Sequence, residues 1–178
     1  MAAALLFIAL PAFGAETSLV APRSVWKYLN DGSNQGTAWR AAGFNDAAWA
    51  SGPAELGYGD GDELTVVGYG PDPSRKPITT YFRQTFDVAD PAVFTAVKLR
   101  LIRDDAAVVY LNGTEVWRVN MPGGTISYTT LAAGNVGGTD ESTWLETSIL
   151  SSALVAGTNT VAVEVHQEYS GSSDMSFA

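Results

Sequence analysis

The chain has 178 residues, of which 46% are hydrophobic and 16% charged, and a formal net charge of −9. That is ample for one core-bearing domain and thin for two, and so acidic a surface repels a phosphate backbone, which argues against nucleic acid as a partner. With no cysteine and a single histidine, a disulfide framework, a thiolate metal site, a multi-imidazole zinc site and a binuclear phosphatase centre are all excluded.

The chain opens with "MAAALLFIALPAFGAETS". An apolar run from Ala2 to Leu10 precedes Pro11 and a small-x-small pattern, Ala12-Phe13-Gly14. That is the order of an apolar core and a cleavage site, and the run is short for a bilayer span. The expectation is an export signal over residues 1–15 and a mature domain over 16–178. The domain would be secreted or cell-surface, extracellular or periplasmic, with no membrane contact after cleavage. A buried apolar N-terminal strand is the other reading of the same residues.

"VWKYL" (25–29) reads as a short strand. "GFNDAAWASG" (43–52) reads as a single helical turn capped by Asn45 or Asp46, with Trp49 buried behind it. Next comes "ELGYGDGDELTVVGYG" (55–70), dense in glycines and acids. Calcium takes six to eight oxygens, and Asp60, Asp62 and Glu63 could supply several. Their spacing fits neither an EF-hand nor a Gly-Gly-x-Gly-x-Asp repeat, so a solvated turn with glycines at positive φ stands beside the metal reading. Tyr58 and Tyr69 flank this loop, and Arg75 and Lys76 in "PDPSRKP" adjoin it. Aromatic surface with polar groups nearby suits sugar hydroxyls, which makes loop 55–77 a candidate binding edge.

Strand patterns then dominate. "TTYFRQTFDV" (79–88) places Phe82, Phe86 and Val88 on one face. "AVKLRLIRDD" sets Val97, Leu99 and Leu101 against Lys98 and Arg100. In "AAVVYLNGTEVWRVNM" the Asn112-Gly113 pair predicts a type I′ hairpin turn. Asn112-Gly113-Thr114 is also a glycosylation sequon, but the turn explains it fully. Trp117, beyond this turn, is a candidate ligand platform or a core residue. "STWLETSIL" is a strand with Leu145, Thr147 and Ile149 on one side. In "AGTNTVAVEVHQE", Val161, Val163 and Val165 face one way, and Thr160, Ala162, Glu164 and His166 the other. His166 is a structural or surface residue on this reading, with ligand contact as the alternative. "DMSFA" begins a last strand that stops almost at once.

The sum is an all-β chain: a jelly-roll β-sandwich of about eight antiparallel strands with irregular N-terminal loops. "GFNDAAW", "TTYFRQTFDV", "LRLIRDDAAVVYLNGTEV" and "LVAGTNTVAVEVHQ", in this order, resemble the galactose-binding-like jelly roll, as in the sugar-binding domain of family 2 glycoside hydrolases and in accessory modules of secreted bacterial proteins. The resemblance covers roughly residues 25–177. It implies a module that binds carbohydrate or packs against a neighbouring domain, sometimes with a structural calcium. It also implies a last strand running on past Phe177, so that the sequence would be part of a longer polypeptide.

No Gly-x-Ser-x-Gly elbow occurs, and nineteen acids make some carboxylate pair inevitable, so neither a nucleophilic nor a glycosidase site is specified. The first expectation is a non-catalytic module that binds carbohydrate or an adjacent domain of the same polypeptide. The second is a purely structural domain, the N-terminal part of a larger exported hydrolase such as a metallophosphoesterase or glycosidase. A hydrolase site completed by residues beyond 178 is the third.

Overall fold

The computed structural model describes residues 6–11 and 16–178. Thirteen strands follow in chain order: β1 (Leu6–Pro11), β2 (Thr17–Val20), β3 (Val25–Leu29), β4 (Ala50–Pro53), β5 (Leu56–Tyr58), β6 (Thr65–Val66), β7 (Thr79–Val88), β8 (Phe94–Leu101), β9 (Ala106–Leu111), β10 (Thr114–Val119), β11 (Leu145–Leu150), β12 (Gly157–His166) and β13 (Met175–Phe177). The remaining ordered elements are single 3₁₀ turns such as Ala38–Arg40. The architecture is an all-β sandwich, as the alternation implied. The strand count exceeds eight because β2, β4, β5, β6 and β13 have only two to four residues each, too short to show a period.

Two antiparallel sheets face each other. One has the order β10-β9-β12-β7-β3-β4 and the other β11-β8-β1-β2, while β13-β5-β6 forms a small third sheet. Between the two main sheets lie Phe82, Phe86 and Val88 of β7, Val109 and Leu111 of β9 and the three valines of β12, against Phe7 of β1 and Val97, Leu99 and Leu101 of β8. The positions on β7, β8, β9 and β12 follow from period-two alternation. The Asn112-Gly113 turn has φ of 51° and 86° at its two central residues, the left-handed pair a type I′ turn requires. The Asn112 side chain is also built in. Its Nδ2, the atom a glycan would take, donates to Ala153 O and Asn159 Oδ1.

One region follows the second of its two readings, and another differs from expectation. Residues 6–11, read as part of an export signal, form β1 inside a sheet, paired with both β8 and β2; residues 1–5 and 12–15 of that signal lie outside the described residues. The turn around "GFND" is not helical. Trp49 N donates to Asp46 O in a β-turn, and the Asp46 carboxylate accepts from Arg83 Nε at 2.8 Å instead of capping a helix. Arg83, 2% exposed, also donates to the carbonyls of Trp39 and Ala41, which fastens loop 39–46 onto the outer face of the large sheet.

That fastening has a consequence for β12. Trp39 and Trp49 pack over Tyr81, Val108, Tyr110 and Ala162 as a second apolar cluster. The polar face of β12 is therefore covered. Glu164 is 2% exposed and His166 fully buried.

Candidate functional site

A cleft of about 420 Å³ opens at one end of the sandwich. Three loops form its walls: 30–33, which follows β3; 69–79, which leads into β7; and Tyr128–Thr129. Each loop is shaped by its own short polar residues. Asp31 Oδ1 accepts from Ser33 N and Oγ, and Asp72 Oδ1 accepts from Ser74 N, both turns that Asp side chains nucleate. Asn30 ties the first two loops together by donating to Gly68 O and accepting from Thr80 Oγ1.

Two of the expected ligand residues line this cleft. Tyr69 is half-buried in its wall, and Arg75 is exposed at its rim, 3.8 Å from Asp72. Tyr58 lies behind the wall. It is 4% exposed, and its ring meets that of Tyr69 edge-on at 4.8 Å. Lys76 is a strut and not a rim contact. Its ammonium lies 4.5 and 4.4 Å from the Tyr58 and Tyr69 ring centres and donates to the carbonyls of Ser172 and Ser173. Burial lowers its pKa.

The other two expected ligand residues do not join them. Trp117 is half-buried and packs against the main core from β10, away from the cleft lining. His166 cannot touch a ligand from its buried position. Its Nδ1 donates to Thr130 O at 2.7 Å and lies 3.0 Å from Thr79 Oγ1, while Thr79 donates to Tyr128 O. It braces the Tyr128 wall from behind.

The acids of loop 55–63 split in the same way. Glu63 is used locally, accepting from the backbone N–H groups of Asp60 and Gly61 at 3.0 Å each. Asp60 turns instead toward two distant loops. Carboxylate oxygens of Asp60, Glu141 and Asp174 lie within 4.8 Å of one another. Asp62 stays beside them, lining a smaller cleft of about 200 Å³ with Glu55, Asp60 and Glu141. Burial and neighbouring negative charge raise the pKa values of Asp60 and Glu141. Glu55, 6% exposed, is pushed up to about 7 by burial and then by Asp62. Asp104, 1% exposed, is pushed up to about 9 by burial and then by the Asp105 charge, and neither of its oxygens meets a donor. Asp60, Glu141 and Asp174 are the side chains that could hold a cation here, and their hard oxygen donors are of the kind calcium takes.

Glu141 and Asp174 carried no motif. "GTDES" and "SSDMSF" read as ordinary loops, and only the return of β13 alongside β5 brings Asp174 next to Gly59. Tyr128 was equally silent, whereas the Asn30-Asp31-Gly32-Ser33 turn signal was present but pointed to no neighbour.

No protein-family model matches the chain, and no curated protein matches it. Similar solved structures include a β-glucuronidase of Bacteroides uniformis, with TM-score 0.51 and 19% identity over 82% of this chain and 15% of that one. β-Glucuronidase 2 of Bacteroides uniformis gives a TM-score of 0.50 and 20% identity over 81% and 15%. A β-glucuronidase of Ruminococcus gnavus gives 0.50 and 14% over 91% and 22%. At such identities the likeness is one of fold: this chain has the fold of a β-sandwich found within β-glucuronidases, and it spans between 15% and 22% of the length of those proteins.

Proposed function

We propose that this chain is a non-catalytic, exported accessory module of a larger glycosidase-like polypeptide, and that it contacts carbohydrate through the cleft between loops 30–33, 69–79 and 128–129. The observation that carries this reading is the cleft itself. Tyr69 and Tyr128 supply aromatic surface, and Asn30, Asp31, Ser33 and Arg75 surround it with hydrogen-bonding groups. Export rests on the apolar run and small-x-small pattern of the first fifteen residues. Polysaccharide pull-down and a glycan array test the binding. Retention should fall at least tenfold in Tyr69→Ala and Arg75→Ala. A blank array with and without calcium overturns the carbohydrate reading.

Packing against an adjacent domain is the second reading, favoured by the small share of the similar chains that this fold occupies. A blank array together with co-purification of a downstream domain would select it.

The calcium expectation moves from Asp60, Asp62 and Glu63 to Asp60, Glu141 and Asp174. An ion bound only by the folded chain must raise the melting temperature. Calcium should therefore raise it relative to EDTA, and Asp174→Asn should abolish the rise. Identical melts in EDTA and millimolar calcium overturn the site.

A further inference from the structure

Strands β1 and β13 lie end to end along β8. At its end, β13 runs antiparallel to the residues that follow β8. Phe177 stands opposite Arg103, and Ala178 exchanges two backbone hydrogen bonds with Ile102, at 2.8 and 3.2 Å. Antiparallel β1 takes up β8 where that pairing stops: Leu6 faces Arg100, Phe7 faces Leu99, Ile8 faces Lys98 and Ala9 faces Val97. Only Leu101 separates the two pairings. The register continues as well as the direction. A residue joined after Ala178 would face Leu101, the next would face Arg100 in the place of Leu6, and the third would face Leu99 in the place of Phe7.

The present occupant fits this track imperfectly. Its register breaks against β2 between Phe7 and Ile8, and against β8 between Leu10 and Pro11. Pro11, at the strand's end, has no N–H to give the β8 ladder. The neighbours ask for alternation. Val97 and Leu99 of β8 are core residues, whereas Lys98 and Arg100 face outward beside Ser148 and Glu146 of β11. "LFIALP" does not alternate, and it puts leucine and isoleucine in register with Arg100 and Lys98.

We propose that the track between β8 and β2 is a strand-acceptor site, and that its preferred occupant is a strand joined directly to β13 at Ala178, apolar at alternate positions, which displaces Leu6–Pro11. A strand so joined needs no connecting loop, and its first hydrogen bonds extend a ladder already formed. Loss of residues 1–15 by signal cleavage would open the same site.

The test uses the 178-residue chain and the same chain lengthened by six residues after Ala178, with the first, third and fifth apolar and the others polar. Hydrogen exchange should show residues 6–11 protected in the first chain and unprotected in the second, while residues 94–101 stay protected in both. Phe7→Asp should lower the melting temperature of the 178-residue chain by about 10 °C, as a charge placed in the core does, and leave the lengthened chain unchanged. An extension with apolar and polar positions interchanged should leave residues 6–11 in place. The proposal is overturned if residues 6–11 keep their protection in the lengthened chain and Phe7→Asp costs both chains the same. It is also overturned if residues 6–11 are unprotected in both chains, or if the interchanged extension displaces them equally.

Discussion

Two buried carboxylates, Glu164 and Asp104, have opposite surroundings. Glu164, beneath the Trp39 cover, is fully partnered. Tyr110 Oη donates to it at 2.6 Å, Arg40 reaches it at 3.3 Å, and His166 Nε2 lies 3.5 Å away. Burial pushes its pKa up, but His166, Tyr110 and Arg40 together outweigh burial and hold it below the usual value. Asp104, whose backbone N–H donates to Ser176 O of β13, is as buried, and burial and the neighbouring acids leave it far above the usual range. Equal burial gives opposite shifts because partners decide the sign. The first region reads as architecture, complete in itself. The second is a concentration of acids around the buried Arg103 guanidinium, which a bound cation or a proton would relieve further.

The largest effect is expected from breaking the complete region. Arg40→Ala removes the guanidinium that reaches Glu164 and stacks 4.0 Å over the Tyr110 ring. Stability by urea denaturation at pH 7 should fall by about 3 kcal/mol, the scale for orphaning a buried ion-pair partner. A fall below about 1 kcal/mol would mean that Tyr110 and His166 hold Glu164 unaided. The pH dependence has a fixed sign. A carboxylate depressed in the folded state stabilises above its unfolded pKa, and that stability is lost as pH falls through the folded value. The loss should appear below pH ~4.5 in the native chain and shrink in Arg40→Ala.

The contrast also shows what the sequence made legible. Alternation placed both faces of β12 correctly, and the Asn112-Gly113 turn fell where the dipeptide predicted. Alternation says which residues share a face, not whether that face is open. The face of Glu164 and His166 could be read as open or covered, because its cover comes from Trp39 and Arg40, far away in a loop without period. In the other region, Asp60 was grouped with acids of its own loop. Asp62 and Glu63 are its neighbours in sequence, whereas Glu141 and Asp174 are its neighbours in space. Short-range spacing groups acids within one loop and misses clusters assembled from three.

A smaller effect, opposite in sign, is expected from Asp104→Asn. The folded chain keeps a proton on Asp104 that the unfolded chain releases, so this group costs stability as pH rises from about 4 toward 9. Glu55 acts in the same sense up to about pH 7. Removing the charge at Asp104 should gain on the order of 1 kcal/mol at pH 8 and nothing at pH 4. A variant destabilised equally at both pH values would show that the side chain is needed for its shape and not penalised for its charge. Calcium sharpens the same point. If the ion neutralises the region, it should flatten the pH dependence of the native chain and do less in Asp104→Asn.

The smallest stability effect, and the most informative about function, is expected at Arg75. Its side chain is 86% exposed, and its ion pair with Asp72 is long, at 3.8 Å. Exposed pairs of that kind contribute about 0–1 kcal/mol, so Arg75→Ala should leave the melting temperature within error. Tyr69→Ala is less clean, because it also strips one of the two rings holding the Lys76 ammonium. Arg75 therefore separates binding from folding. If polysaccharide retention falls in Arg75→Ala while the melt is unchanged, the cleft is a contact surface in its own right. If retention and melt are both unchanged, the carbohydrate contact lies elsewhere, and the exposed rim of loop 69–79 is left to an adjacent domain.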